Sequence, residues 1–418
     1  MAGDATGAAI GREGGVEARS VSVPRLPMSQ RADALDFSTI ERVLVVKLRY
    51  HGDVVLSTPV FQVLANHHPH LEIDALVYAD TAELLRDHPA ISRVYGVERS
   101  GAGGRGLAAL RERGGLWRSL RERRYGLLIH LTEHWRGAML ARFLGVRHAV
   151  VAEYARRTGH AGWRRLLGGF WHGSFTHHYP LSSGRRHMVE RNLDALRRIG
   201  IHPDESEKRL VVNVNAHDAE LAEVDLRRNG LRRGHYIVIH PASRFGYKCW
   251  DPGRMAAVVA ALHRPDRPVV LTGSPDPAER AMVDEVVLRS GVDPVDLCGA
   301  LTLKGLAHCI GGAQLFIGVD SAPMHIAAAT GTPVVALFGP SNPWVWGPWQ
   351  VAHRIVATHP SCQPCHLRGC ADSFHSECIE RITVAQVLAA VRELLPRGTV
   401  AAPPPSPVSF LRPVERTG

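Results

Sequence analysis

The chain has 418 residues and is 45% apolar, enough for two ordinary domains with buried cores. No stretch reaches the roughly 18 uninterrupted apolar residues of a membrane span. The N-terminus lacks the charged-then-apolar layout of a secretory signal, and seven cysteines in such a chain argue for a reducing compartment, not a disulfide framework. These features point to the cytoplasm. The net charge of +10 is carried by residues 1–200, where 29 Lys and Arg face 19 Asp and Glu; the remainder holds 21 of each. Only four of the 50 basic residues are Lys. A GC-rich genome would explain that preference for Arg but not the asymmetry between halves. A basic half attracts an anionic partner: nucleic acid, lipid headgroups or a phosphorylated glycolipid. Few aromatics, 6% of the chain, are available for the stacking a nucleic-acid binder uses, so no nucleic acid is expected.

Residues 1–39 read as a disordered leader. Val43–Lys47 is a short β-branched run of the kind that forms a buried parallel strand. A turn at Tyr50–Asp53 follows, then apolar residues at helical spacing over Val55–Asn66. Leu71–Tyr78, Val94–Val97 and Gly126–Leu131 read as strands, and Thr81–His88 as a short helix. Two Arg-rich segments interrupt this rhythm. Arg99–Arg124 interleaves Leu107, Leu110, Leu116, Trp117 and Leu120; Arg156–Phe175 is the second. Each fits a basic amphipathic helix on a membrane surface, or a surface helix that packs its leucines on its own domain. Residues 40–205 therefore form a first α/β domain, and 206–235 a polar connection with a strand signal only at Leu210–Val214.

A second alternation spans 236–395. Strands are expected at Tyr236–His240, Pro268–Thr272, Leu315–Val319 and Pro333–Phe338. Helices are expected at Pro252–Leu262, Ala278–Ser290, Leu303–Gly311, Ala322–Thr330 and Thr383–Leu395. Residues 396–418 read as a disordered Pro-rich tail. Two doubly wound α/β halves imply a cleft, with ligands beyond the carboxyl ends of the strands.

Four turns carry candidate chemistry. Gly52 permits a tight turn, and Asp53 stands after the first strand at a helix start, suited either to accept a proton or to cap the helix. Asp320, Ser321, Ala322 and His325 open a helix whose small residues let backbone N–H groups approach a diphosphate. Ser243, Arg244 and Lys248 follow another strand, and Lys248 is placed to neutralise charge on a departing diphosphate. Gly273 and Ser274 form a tight turn at a third strand end. Each of these also has a plain structural reading as a cap, a packed histidine or a surface loop. Cys362, Cys365, Cys370 and Cys378 fall within 17 residues. They read as reduced thiols in a packed loop, with tetrahedral zinc as the lesser alternative. No Asp-x-Asp pair follows a strand to hold a divalent ion, so the chemistry is expected to need no metal and no cofactor.

The stretch VLVVKLRYHGDVVLSTPVFQVLANHHP resembles the opening motif of the ADP-heptose–lipopolysaccharide heptosyltransferases, and FIGVDSAPMHIAAATGTPVVALFGPSNP resembles their C-terminal motif. HPASRFGYKCW and CQPCHLRGC are similar too, closest to the heptosyltransferase III-type branch, and the likeness covers about 41–395. The resemblance implies a GT-B fold: two facing Rossmann-like doubly wound domains with an interdomain cleft, acceptor on the first and ADP-sugar on the second. It implies inverting transfer from ADP-L-glycero-D-manno-heptose to the lipopolysaccharide inner core. Asp53 matches the proposed base, and Lys248 a lysine on the donor phosphates. Asp320, Ser321 and His325 match the donor turn, with Ala322 where many members carry glycine. Pro277 stands where some members place a ribose-binding Glu, leaving Asp276 or Glu279 as substitutes. Arg49, His51 and Gly52 are acceptor-side candidates. The enzyme is expected on the cytoplasmic face of the inner membrane, in peripheral contact with anionic lipid. A nucleotide-sugar epimerase of the same fold, a glycosyltransferase with another ADP-sugar or acceptor, and a non-catalytic binding protein remain the alternatives.

Overall fold

The computed structural model describes residues 34–99, 107–132, 136–153, 169–181, 184–358, 361–365 and 367–395. Most of the expected leader, the expected tail and residues 156–168 of the second Arg-rich segment lie outside them.

Six strands form the first sheet: β1 (Arg42–Lys47), β2 (Glu72–Tyr78), β3 (Arg93–Val97), β4 (Leu127–His130), β5 (His148–Glu153) and β6 (His177–Pro180). Their order is β3-β2-β1-β4-β5-β6, and every pair is parallel. The second sheet holds β7 (Ile237–His240), β8 (Val269–Leu271), β9 (Val295–Asp296), β10 (Leu315–Val319), β11 (Val334–Phe338) and β12 (His353–Ala357), in the order β12-β11-β10-β7-β8-β9. Counted from its own first strand, the second sheet repeats the topology of the first. Both have the doubly wound dinucleotide-binding order, which reverses beside the first strand. All five residues of β10 and of β11 are buried, as parallel strands covered on both faces require.

The helices are α1 (His51–Val55), α2 (Thr58–His67), α3 (Leu107–Glu122), α4 (Arg136–Leu144), α5 (Met188–Arg197) and α6 (Ala216–Arg228) on the first half and its connection. The second half has α7 (Pro252–Leu262), α8 (Pro277–Ser290), α9 (Leu303–Gly311), α10 (Ala322–Thr330), α11 (Pro343–Trp346), α12 (Glu377–Glu380) and α13 (Val384–Leu394). The single helix expected over Val55–Asn66 is two, because Pro59 starts a fresh helix after the break at Leu56 and Ser57. The connection carries α6, and Leu210–Val214 joins neither sheet. Residues 34–39 are held on the first sheet, where Phe37 is buried and stacks on His68 at 4.0 Å.

Three apolar clusters hold these layers. One lies between the first sheet and α3 and α4 and includes Leu44, Val46, Leu120, Leu140 and Phe175. A second lies between the second sheet and α7 and α13 and includes Trp250, Val259, Ile317 and Val387. The third is continuous through both halves, from Val43, Val60 and Leu193 to Tyr236, Ile326 and Phe338. Lys304, fully buried at the start of α9, adds a polar tie between the halves. Its ammonium donates to the Arg86 carbonyl at 2.7 Å and to the Asn213 carbonyl, and its backbone N–H donates to Glu83 at 3.2 Å.

The first Arg-rich segment contains α3, with a split character. Leu120 is buried in its own domain and Leu116 packs against that core, while Trp117 faces out. Two of the segment's arginines are engaged within the fold. Arg123 makes two bonds to buried Asp74, and Arg99 pairs with Asp80 at 2.9 Å. Among the described residues no helix is long and apolar enough to cross a membrane.

Candidate active site

A cavity of about 1570 Å³ lies between the halves, at the carboxyl ends of β1, β4, β7, β8, β10 and β11. It opens where both strand orders reverse, the place at which such sheets bind ligands. Asp53, Arg49, His51 and Gly52 line it from the first half. Ser243, Arg244, Lys248, Gly273, Ser274, Asp320, Ser321, Ala322 and His325 line it from the second. These thirteen positions thus reach one cavity; the clustered cysteines do not line it, although Pro364 and Leu367 of their loop do.

The two rims touch. A Cβ built on Gly52 would stand 2.9 Å from His325 Cδ2 and 3.7 Å from Ala322 Cα, so only glycine lets the start of α1 lie against the start of α10. Gly52→Ala is expected to push the rims apart by a fraction of an ångström and lower turnover roughly tenfold, with little change in melting temperature. Steady-state kinetics beside a thermal melt check this, and unchanged turnover would refute the close-contact argument.

Asp53 sits in the first turn of α1 with its side chain 16% exposed. Behind it lies Lys47, at 3% exposure, with Nζ 3.9 Å from Asp53 Oδ1. Nζ also donates to the Leu131 carbonyl at 3.2 Å and to Asn192 Oδ1 at 3.0 Å, while the Asn192 amide donates to the Leu56 carbonyl at 2.9 Å. A buried cation thereby backs the carboxylate and ties β1, β4, α1 and α5 together. Sequence reasoning missed this brace. Its one signal was a lysine ending an apolar strand, where a solvated charge has no place.

On the facing rim Lys248 Nζ donates to Asp320 Oδ2 at 2.6 Å. Ser321 is the N-cap residue of α10, yet its hydroxyl does not cap the helix. That buried Oγ has no partner among the described residues, and neither has His325 Nδ1. Buried polar atoms left without partners are costly, which points to a ligand that supplies them. Burial holds His325 down to about 4, with Asp320 and Asp53 pulling the other way, so the ring is neutral at physiological pH. Burial likewise lowers His240 to about 4; its Nδ1 lies 3.0 Å from Thr272 Oγ1.

Other predicted positions have local partners. Ser243 Oγ accepts from the Phe245 N–H at 3.3 Å, and Glu279 accepts from the Ser274 N–H at 2.9 Å. Asp276 caps α8. Gly273 is required by packing, since a Cβ there would meet Cys298 Sγ at 2.6 Å. At the mouth, the Tyr50 ring lies between Arg99 of its own half, at 4.8 Å, and Arg244 of the other, at 5.0 Å. His51 Nε2 lies 2.9 Å from the Asp80 carbonyl, and burial lowers its pKa.

The four clustered cysteines are free and line a separate small cavity of about 50 Å³. Among the described residues no three His, Cys, Asp or Glu side chains are placed to hold a metal ion.

A neutral histidine also locks the two halves. His187 caps α5 by accepting from the Val189 N–H at Nδ1, and its Nε2 donates to the Gly347 carbonyl at 2.9 Å. The ring stacks on Trp349 at 4.4 Å, and burial pulls its pKa down to about 3. His88 is lowered by burial to about 4. In the unfolded chain all four of these buried histidines titrate near 6.5. Between that pH and about 4 the unfolded state therefore binds more protons, and stability falls as pH falls. At pH 5 the loss is roughly 2 kcal/mol per buried histidine. Urea unfolding at pH 7.5 and 5 should show it; a flat profile would contradict the neutral assignments.

Two doubly wound sheets that face each other across such a cleft define the GT-B architecture. Comparison with known proteins sharpens this. The model of glycosyltransferase family 9 (heptosyltransferase) matches residues 113–374. Lipopolysaccharide heptosyltransferase 3 of Escherichia coli is 35% identical over 353 residues, 84% of this chain and 98% of that protein. Among solved structures, a glycosyltransferase family 9 protein of Veillonella parvula superposes with a TM-score of 0.70 at 24% identity, covering 87% of this chain and 99% of that one. The E. coli heptosyltransferase WaaC with ADP gives 0.62 at 20% identity, covering 85% and 100%. The chain belongs to glycosyltransferase family 9.

Proposed function

We propose that this enzyme transfers a heptose from ADP-L-glycero-D-manno-heptose to the inner core of lipopolysaccharide, with inversion. The carrying observation is the contact of the two helix starts, which opens the Asp53 carboxylate and the Lys248–Ser321 turn onto one cavity. The similarity to heptosyltransferase 3 supports the choice of sugar and acceptor.

ADP-heptose lies along the second half, its diphosphate at the start of α10. Ser321 Oγ and the Ala322 N–H at the start of that helix donate to the phosphate oxygens, Pro323 having no N–H to give. The acceptor lies on the first half beside Arg49 and His51. Asp53 takes the proton of the acceptor hydroxyl as its oxygen forms the new bond to the anomeric carbon. The bond from that carbon to ADP breaks on the opposite side, and Lys248 offsets the charge gained by the departing diphosphate. The reaction runs at the cytoplasmic face of the inner membrane, where the basic first half rests against anionic lipid.

Incubation of the protein with ADP-heptose and core-truncated lipopolysaccharide should yield acceptor heavier by one heptose in mass spectrometry. Conversion of the donor sugar without acceptor would replace this reading with an epimerase.

A further inference from the structure

Helices α3 and α4 cover one face of the first sheet. Their inner sides bury Leu120, Ala138, Leu140 and Ala141. Their outer sides are not a solvated polar surface. Trp117, Met139 and Phe143, with Phe170 beside them, are 37%, 51%, 41% and 40% exposed.

These side chains form a continuous set. Trp117 meets Phe143 edge to face at 5.6 Å, and Met139 lies one turn before Phe143 on the same helix. Arg121 covers the Phe143 ring at 5.5 Å, and Arg142 the Phe170 ring at 4.6 Å. Arg142 is itself steadied by the Ser174 hydroxyl at 2.7 Å. The charge around them is mostly positive. Residues 114–124 and 136–147 hold seven arginines, of which Arg123 turns inward to Asp74, and a single acid, Glu122. Apolar side chains interleaved with guanidinium groups suit the boundary between lipid headgroups and acyl chains, where the rings leave water and the cations meet phosphate.

We infer that the outer face of α3 and α4, with Phe170, docks the protein on an anionic lipid bilayer. The inference deepens the membrane contact proposed above and rests on it. A nucleic acid would answer the arginines but leave Met139 and Phe143 in water; a bilayer answers both. The position serves the chemistry as well. α4 begins a few residues after β4, and Leu131 and Thr132, which follow that strand, line the cavity. A docked α4 therefore brings the cleft close to the bilayer, within reach of the sugars of a lipid-anchored acceptor.

Flotation of the full chain with vesicles tests this. The protein should float with phosphatidylglycerol–phosphatidylcholine vesicles and stay behind with phosphatidylcholine alone. Trp117→Ser with Phe143→Ser should cut the floated fraction on the order of tenfold, since two half-exposed rings no longer leave water. Arg121→Gln with Arg142→Gln should lower it too and make the remainder less sensitive to salt. Leu288→Ser, at an 83% exposed position on the second half, should change nothing. Transfer to a soluble, delipidated acceptor should be the same for all these variants.

Both double variants floating like the wild type would overturn the assigned face alone. A wild type that ignores anionic vesicles, or binds duplex nucleic acid through Trp117 and Phe143 instead, would overturn the inference and the membrane contact together. Loss of transfer to the soluble acceptor by the wild type would strike the proposed chemistry and not this surface.

Discussion

Asp53→Asn is expected to lower transfer by about 10²–10⁴-fold, the usual contribution of a general base. The amide keeps the shape of the side chain but cannot take the acceptor's proton. The surroundings survive the change, because Lys47 retains the Leu131 carbonyl and Asn192 as partners. In the proposed arrangement ADP lies on the opposite rim, so its affinity, measured by calorimetry, should stay close to that of the wild type. The pairing of lost turnover with kept binding is the signature. An Asn variant that turns over near the wild-type rate ends the assignment of Asp53 as base.

Lys248→Met should cost on the order of 10²–10³ in turnover, as losing one preorganised charge on a leaving group does. Unlike the Asp53 variant, it should also weaken ADP binding. The cause is double. The diphosphate loses its cation, and Asp320, with its side chain 7% exposed, loses the ammonium now 2.6 Å away. An unpaired carboxylate at that depth repels the phosphates and lowers stability by roughly 1–3 kcal/mol, less than a fully buried pair because Lys248 is 21% exposed. Lys248→Arg should recover part of the affinity by restoring the charge. Unaltered ADP binding in the Met variant would show that the lysine serves only to hold Asp320.

Much of this was legible in the sequence because parallel strands buried on both faces leave unbroken apolar runs. Val43–Lys47, Leu315–Val319 and Pro333–Phe338 declare themselves in that way, and the turns after them are rich in Gly, Ser and Asp. Other elements carry no such mark. β6 reads HHYP, and only Tyr179 of its four residues is buried. β12 begins with His353 and Arg354, and α6 sits in a segment too polar to look like part of a core. Contacts over long chain separations were also hidden. Nothing near Gly52 announces that His325 lies against its missing side chain, or that Lys47 is buried behind Asp53 with Asn192. The α3 segment shows a different limit. Leucines and arginines alternate there, but only packing separates Leu120, turned inward, from Trp117, turned out.

An apolar cluster that runs unbroken through both halves, reinforced by Lys304 and His187, leaves little freedom for the sheets to swing apart. A hinge movement wide enough to admit a sugar nucleotide would wet part of that cluster and break both ties. The shared core therefore predicts a gap that keeps its width when a substrate arrives. X-ray scattering with and without ADP would then give one radius of gyration, and a marked contraction on binding would mean that the shared core yields.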